Sequence, residues 1–295
     1  MESLLPENTI YVNGAFVPAT GAHISALDRG FAIGDGVFET MRAENGRVFR
    51  LAAHLHRLRG ALRSLDITVH QSDAELETAL GDLLARNGLV HASVRLTVSR
   101  GVPEARGILP GRMLSGPTVV IQAMPLSDYP AEKYAAGFTA VVASVRRNET
   151  SPASRIKSCN YLDNVFARLE AAAAGADEGL MLNIAGHVAC GSICNVFAVQ
   201  KGRLLTPPVS TGILPGITRG VVLEIAAREG LPTAEADLAL SALRASDEAF
   251  LTNSLIGLMP LTQLDGRPIG PGTLGPLTRL LRQRYLTLLA AETHQ

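Results

Sequence analysis

Apolar and polar positions alternate in short runs over the first fifty residues, then switch to a helical period. Ile10-Tyr11-Val12 and Ala15-Phe16-Val17 flank Asn13-Gly14, a pair suited to the positive φ angles of a two-residue turn. The pattern predicts a hairpin there. Residues 37–42 and 47–49 flank Glu44-Asn45-Gly46 and predict a second. Leu51, Leu55, Leu58, Leu62 and Leu65 recur at three- and four-residue intervals, which predicts an amphipathic helix over 51–65. Ser72-Asp73-Ala74-Glu75 is a capping box that opens another helix, and Asn87-Gly88 closes it. Residues 93–99 alternate as a strand, and 118–123 read as a buried strand.

Proline, tyrosine and lysine around 125–134 mark a connector. Beyond it, strands are predicted near 139–145, 179–183, 195–199 and 248–252. Helices are predicted at 161–174, after Pro215, and at 275–291. Strands and helices mix without strict alternation, so the expected class is α+β. Two α/β domains are expected: a smaller one over 1–125, a connector at 126–134, and a larger one over 135–295.

Composition narrows the function. The 295 residues suffice for two packed domains, and 47% hydrophobic with 18% charged residues is ordinary for a globular protein. Twenty-seven basic and 27 acidic residues cancel, which argues against a nucleic-acid binder with a broad basic surface. The start, Met1 to Asn8, lacks the basic and apolar regions of a secretory signal. No apolar run approaches the roughly 18 residues of a membrane span. The expectation is a cytoplasmic protein with no membrane or nucleic-acid partner. Cys159, Cys190 and Cys194 form no disulfide framework. His187, Cys190 and Cys194 are poorly spaced for zinc, with no evident fourth ligand, so no metal is expected.

The chain holds three lysines, Lys133, Lys157 and Lys201, so Schiff-base chemistry must use one of them. Lys201 sits in a Lys-Gly turn and Lys133 in the connector. Lys157 lies between a strand and a helix and is the candidate, although a surface lysine is the commoner meaning of such a position. Ile213-Leu214-Pro215-Gly216-Ile217-Thr218-Arg219 opens a helix with proline and glycine. The N–H groups of Gly216, Ile217 and Thr218, with the Thr218 hydroxyl, can form a phosphate cup, or an ordinary helix start. Ser254 offers a second hydroxyl, and Arg57 a charge to neutralise phosphate, or simply a helix-face arginine. Gly34-Asp35-Gly36 reads as a structural turn.

Taken together, these segments resemble the class IV aminotransferases, the fold type IV pyridoxal-phosphate enzymes, from about Tyr11 to Tyr285. The pieces come in the family's order: Asp28-Arg29-Gly30 with Gly34-Asp35-Gly36-Val37-Phe38-Glu39; His54-Leu55-x-Arg57-Leu58; Ile156-Lys157-Ser158 with Asn160; Asn195-Val196-Phe197; Leu214-Pro215-Gly216-Ile217-Thr218-Arg219; and Asn253-Ser254. The resemblance implies a D-amino-acid aminotransferase-like fold with pyridoxal 5'-phosphate in the cleft between two domains, a small-molecule amino substrate, and a homodimer. It implies that Lys157 links to the cofactor and moves protons at the substrate carbon. Arg57, Gly216, Ile217, Thr218 and Ser254 would hold the phosphate, Leu214 would pack on the pyridine ring, and Tyr161 would lie near a cofactor oxygen.

One position departs from the family. Members usually carry a glutamate in a Val-x-Glu pattern that pairs with the pyridine nitrogen. Here the pattern reads Val188-Ala189-Cys190. A carboxylate keeps the ring nitrogen protonated and a strong electron sink, and a neutral thiol does not. Among family reactions, Asn253-Ser254-Leu255-Ile256 differs from the Gly-Thr-Ala-Ala of branched-chain aminotransferases. Phe38 stands where D-amino-acid aminotransferases place a tyrosine, and Arg106-Gly107-Ile108 lacks their Arg-x-His pair. The segment from Thr252 to Leu261, and Ser99-Arg100-Gly101 followed by Arg106-Gly107, look most like the aminodeoxychorismate lyases. Those split 4-amino-4-deoxychorismate into 4-aminobenzoate and pyruvate. Phe38 and Arg106 are then the expected substrate contacts, with Arg106 gripping a carboxylate. The alternatives are a branched-chain L- or D-amino-acid transaminase, and a non-catalytic cofactor-binding relative.

Overall fold

Asn13 and Gly14 take φ angles of 50° and 97° and close the hairpin of β1 (Thr9–Val12) and β2 (Ala15–Pro18). The computed structural model describes residues 8–294; the segment 1–7, read above for signal character, lies outside them. Two compact units result. The first comprises the segment ending at Ser127, Ile156–Asn160, and the last residues from Ala290. The second comprises Asp128–Arg155 and Tyr161–Leu289.

The first unit continues through α1 (Arg29–Ile33), β3 (Gly36–Glu44), β4 (Arg47–Val48), α2 (Leu51–Ser64), α3 (Asp73–Arg86), β5 (Ala92–Ser99) and β6 (Thr118–Pro125). Its six strands form one antiparallel sheet in the order β2-β1-β6-β5-β3-β4. Leucines at helical spacing turn one face of α2 and one of α3 onto this sheet. Leu58, Leu62, Leu76, Leu80 and Leu83 are at most 2% exposed and cluster with Val37, Met41, Leu96 and Ile121. Each such leucine contributes roughly 2 kcal/mol by leaving water. The capping box at α3 is complete: the Glu75 amide donates to the Ser72 hydroxyl, and the Glu75 carboxylate accepts from the Ser72 amide.

The second unit runs through α4 (Ala131–Ala136), β7 (Phe138–Val142), α5 (Leu162–Ala173), β8 (Glu178–Leu182), β9 (His187–Gly191), β10 (Asn195–Gln200), β11 (Arg203–Thr206) and α6 (Ile217–Arg228). It ends with β12 (Thr233–Glu235), β13 (Leu238–Ala239), α7 (Leu240–Arg244), β14 (Glu248–Asn253), β15 (Gly257–Leu264), β16 (Arg267–Pro268) and most of α8 (Pro276–Thr293). Its strands run β12-β11-β10-β14-β15-β7-β8-β9-β13, with β16 on β15. β9 also pairs with β10, at Cys190 and Asn195, which closes six strands into a ring.

Two expectations need correction. The lysine segment, expected in the second domain, belongs to the first unit. Phe38 N donates to Lys157 O at 2.9 Å and Cys159 N to Gly36 O at 2.9 Å, so Ile156–Asn160 lies alongside β3. Strand β15 has no counterpart among the predicted strands, and it carries Pro260, a residue usually confined to sheet edges and bulges. It nevertheless sits in the sheet opposite Phe250. Among the described residues, no helix is long and apolar enough to cross a membrane.

Candidate active site

In the first unit, β3 orients two side chains that matter, Glu39 and Phe38. Val37, Glu39 and Met41 share one parity of the strand and face α2, while Phe38 lies on the other. Glu39 is thus a carboxylate at a core-facing position, 1% exposed. Its oxygens accept from Arg57 Nε at 2.8 Å, Arg57 Nη2 at 2.6 Å and His54 Nδ1 at 2.8 Å. Burial pushes the Glu39 carboxyl up, but the bonds and charges of Arg57 and His54 outweigh burial and hold it below its ordinary range. Burial pushes His54 down; the bond and charge of Glu39 oppose this, Arg57 and Lys157 add to it, and the net is a lowered pKa. His54 is therefore a neutral donor to a charged carboxylate.

On the other parity, Lys157 Nζ lies 4.4 Å from the Phe38 ring centroid. The Arg95 guanidinium carbon lies 3.7 Å from the same centroid. One aromatic ring thus carries two cations, an arrangement its quadrupole favours. Arg106 is exposed on the loop between β5 and β6. It lines a cavity of about 450 Å³ with Leu27, Arg29 and Ile33.

In the second unit, Gly216 is the N-cap of α6 and gives no side-chain cap, so the first-turn amides of Ile217 and Thr218 lack an intrahelical acceptor. A Cβ at Gly216 would lie 2.0 Å from Asn195 Oδ1, and Asn195 Nδ2 donates to Leu214 O at 3.0 Å. Asn195 pairs across the sheet with Thr252, whose buried hydroxyl oxygen has no hydrogen-bond partner. Thr218 is buried; Leu214, Ser254 and Tyr161 are half-buried, and Tyr161 is the N-cap of α5. A bare helix N-terminus and an orphaned hydroxyl on β14 together fit a phosphate.

Cys190 is buried on β9, between Met181 of β8 and Asn195 of β10. Burial pushes its thiol up to about 11; the charge of Arg147 opposes this and that of Glu178 adds to it. The thiol is neutral at pH 7. Glu178 does not stand in as a spare carboxylate. One of its oxygens accepts from Gly179 N at 2.8 Å, Ser192 N at 2.9 Å and the Ser192 hydroxyl, and the other from Cys194 Sγ at 3.0 Å.

Sequence reasoning assigned no role to Glu39, His54, Arg95, Asn195 or Thr252. A signal existed for Glu39, whose parity with Val37 and Met41 puts a charge among core positions. None existed for Arg95, since a ring contact across strands is invisible in spacing.

Residues 36–264 match the family Amino-transferase class IV. The chain belongs to that family. It is 38% identical over 279 residues to a Methanocaldococcus jannaschii protein provisionally named a branched-chain-amino-acid aminotransferase, covering 94% of each. It is 37% identical over 261 residues to the aminodeoxychorismate lyase of Bacillus subtilis, covering 87% of this chain and 86% of that one. It is similar in structure to the T.th. branched-chain amino acid aminotransferase with pyridoxamine 5'-phosphate, with TM-score 0.90 and 32% identity, covering 97% of this chain and 95% of that one. The fold is that of the fold type IV enzymes, and the cofactor is pyridoxal 5'-phosphate.

Proposed function

We propose that this chain is an aminodeoxychorismate lyase, releasing 4-aminobenzoate and pyruvate from 4-amino-4-deoxychorismate. The observation that carries the reading is the neutral, buried Cys190, at the position where the family usually has its glutamate, beside a Glu178 whose oxygens are occupied. The cofactor, when bound, supplies an electron sink at the amino-bearing carbon. Without a carboxylate at position 190 that sink is weaker. Aromatisation of the product ring supplies driving force that a transamination lacks. The reading is supported further by the likeness to the Bacillus subtilis lyase.

Lys157 would hold the cofactor, and its amine would hold and move the proton at the substrate carbon. Gly216, Ile217, Thr218 and Ser254 would hold the phosphate, and Arg57 would add positive charge. The substrate bears two carboxylates. Arg106 grips one, and the exposed guanidinium of Arg95 on the Phe38 ring offers a second cation. Leu214 and Tyr161 serve the ring and its oxygen. The working form is a homodimer. In support, Leu162, Val165, Phe166 and Leu169 recur at helical spacing on α5 and stay 46–69% exposed, an apolar stripe of the kind a partner covers.

The second reading is a branched-chain transaminase, favoured by the likenesses to the Methanocaldococcus jannaschii and T.th. proteins. One assay separates the two. The purified protein is given 4-amino-4-deoxychorismate, and separately L-leucine with 2-oxoglutarate, with Lys157→Ala as control. Release of 4-aminobenzoate without keto acid from leucine supports the lyase. Keto acid formation without 4-aminobenzoate overturns it.

A further inference from the structure

Asp28-Arg29-Gly30 stands out in the sequence without a role of its own. Asp28, 1% exposed, accepts from Gly30 N at 2.7 Å, from the Ser99 hydroxyl at 2.8 Å and from the Thr118 hydroxyl at 2.6 Å. It roots the start of α1 on the ends of β5 and β6. Gly30 permits that approach, since a Cβ there would lie 2.5 Å from Ser99 Cβ. Arg29 is 5% exposed, and each of its three guanidinium nitrogens donates. Nε donates to Asp35 Oδ2 at 2.7 Å, Nη1 to Gly107 O at 2.7 Å and Nη2 to Ile108 O at 2.8 Å. Asp35 is held in turn by Arg100 Nε at 2.8 Å, and Arg100 donates to Leu65 O at 2.6 Å. Burial pushes Asp35 up, but the bonds and charges of Arg100 and Arg29 prevail and keep it ionised.

The two carbonyls that Arg29 grips immediately follow Arg106. The base of this loop is a short ladder: Glu104 N donates to Arg112 O at 2.9 Å and Leu114 N to Val102 O at 2.8 Å. Its tip is exposed, so nothing in its own packing fixes where Arg106 points.

We propose that Arg29 is a positioning residue: a buried clasp, braced by Asp35 and Arg100, that sets the loop tip and so aims Arg106 at the substrate carboxylate. This inference rests on the reading of Arg106 as the carboxylate grip. A guanidinium suits the task because its fork reaches two successive carbonyls while its third edge is braced. Lysine keeps the charge and loses the fork.

The test is a double-mutant cycle on the cofactor-loaded enzyme with Arg29→Lys, Arg106→Ala and the double variant. KM and kcat are measured with 4-amino-4-deoxychorismate, and with L-leucine plus 2-oxoglutarate as the second assay. Hydrogen exchange is followed on the peptide covering 103–114. Misplacing a binding group by about 1 Å costs on the order of 10- to 100-fold. The expected result for Arg29→Lys is a KM rise of that size, kcat within about twofold, an unchanged cofactor absorbance band and faster exchange in the loop. In the double variant Arg29→Lys should add nothing to Arg106→Ala. An unchanged KM in Arg29→Lys, or additive effects, overturns the clasp while leaving Arg106 as the grip. An unchanged KM in Arg106→Ala overturns the reading beneath, and the clasp's role falls with it. Asp35→Asn is the second variant, for use if Arg29→Lys does not fold. It keeps both carbonyl bonds and weakens the brace, and a smaller KM rise in the same direction is expected. No rise there overturns the proposal.

Discussion

Lys157 Nζ lies 4.4 Å from the centroid of the Phe38 ring, and the backbone joins the same two residues through a 2.9 Å hydrogen bond from Phe38 N to Lys157 O. The amine is therefore positioned twice, once by the strand pairing and once by the ring. Lys157→Ala should remove the cofactor's characteristic absorbance and lower kcat by roughly 10²- to 10⁴-fold, the range for loss of a positioned proton-transfer group. Phe38→Leu should keep the absorbance band and lower kcat about tenfold, since the amine stays but its platform goes. Spectra and steady-state rates of both variants check this. A Phe38→Leu protein with wild-type kcat would show that the ring does not guide the amine.

The Glu39, His54 and Arg57 cluster sets an acid limit on stability. His54 has its pKa lowered from 6.5 in the folded chain, so the unfolded chain takes up a proton first as pH falls. Its contribution is full above pH 6.5 and is lost as pH falls below that toward the folded value. Glu39 is also lowered, from 4.5, so its contribution is full above about pH 4.5 and is lost at lower pH. The melting temperature should fall between pH 7 and pH 5 and then more steeply below 4.5. His54→Gln should flatten the first limb alone. Glu39→Gln leaves a half-buried arginine with a neutral partner and should cost about 3 kcal/mol at pH 7, measured by denaturant unfolding.

Some of this was legible in the chain and some was not, for physical reasons. Helices α2 and α3 announced themselves because five leucines and a capping box leave one amphipathic solution. α1, α4 and α7, of five or six residues each, hold too few periods to register. Lys157 stood out by the scarcity of lysine, yet its membership in the first unit depends on pairing with β3, which is remote in the chain and which no local pattern encodes. The sequence offered Arg57 to the phosphate. The structure adds that its guanidinium is gripped bidentately by Glu39, a pairing between a strand and a helix that only register reveals.

The proposed phosphate cup makes a separable prediction about Thr252. Its hydroxyl is buried without a protein partner, so Thr252→Val removes an unsatisfied group at nearly constant shape. The cofactor-free protein should be as stable as wild type or more so. If the hydroxyl meets bound phosphate, cofactor binding should weaken by about 0.5–1.5 kcal/mol, roughly 2- to 12-fold in Kd. Gly216→Ala should weaken cofactor binding more, because its Cβ displaces Asn195 from Leu214 O. Fluorescence titration of the cofactor-free protein and its melting curve give both numbers. Unchanged affinity in both variants would remove the cup from the site.

On the lyase reading, the charge of Cys190 bears on which reaction the site favours. With the thiol pushed up to about 11 it carries no charge at working pH, and Glu178 has its oxygens filled by Ser192, Gly179 and Cys194. Cys190→Glu would bring a carboxylate into this region of the sheet, where Arg147 already contributes positive charge. If electron-sink strength limits transamination here, this variant should convert L-leucine to its keto acid at least about tenfold faster than wild type, a gain of about 1.4 kcal/mol in the barrier. Release of 4-aminobenzoate should change by less than that, because aromatisation drives it. The ratio of the two rates is the measurement. A variant that folds, binds cofactor and gains no transaminase activity would detach Cys190 from the choice of reaction. The lyase reading would then rest on the likeness to the Bacillus subtilis enzyme and on the arginines alone.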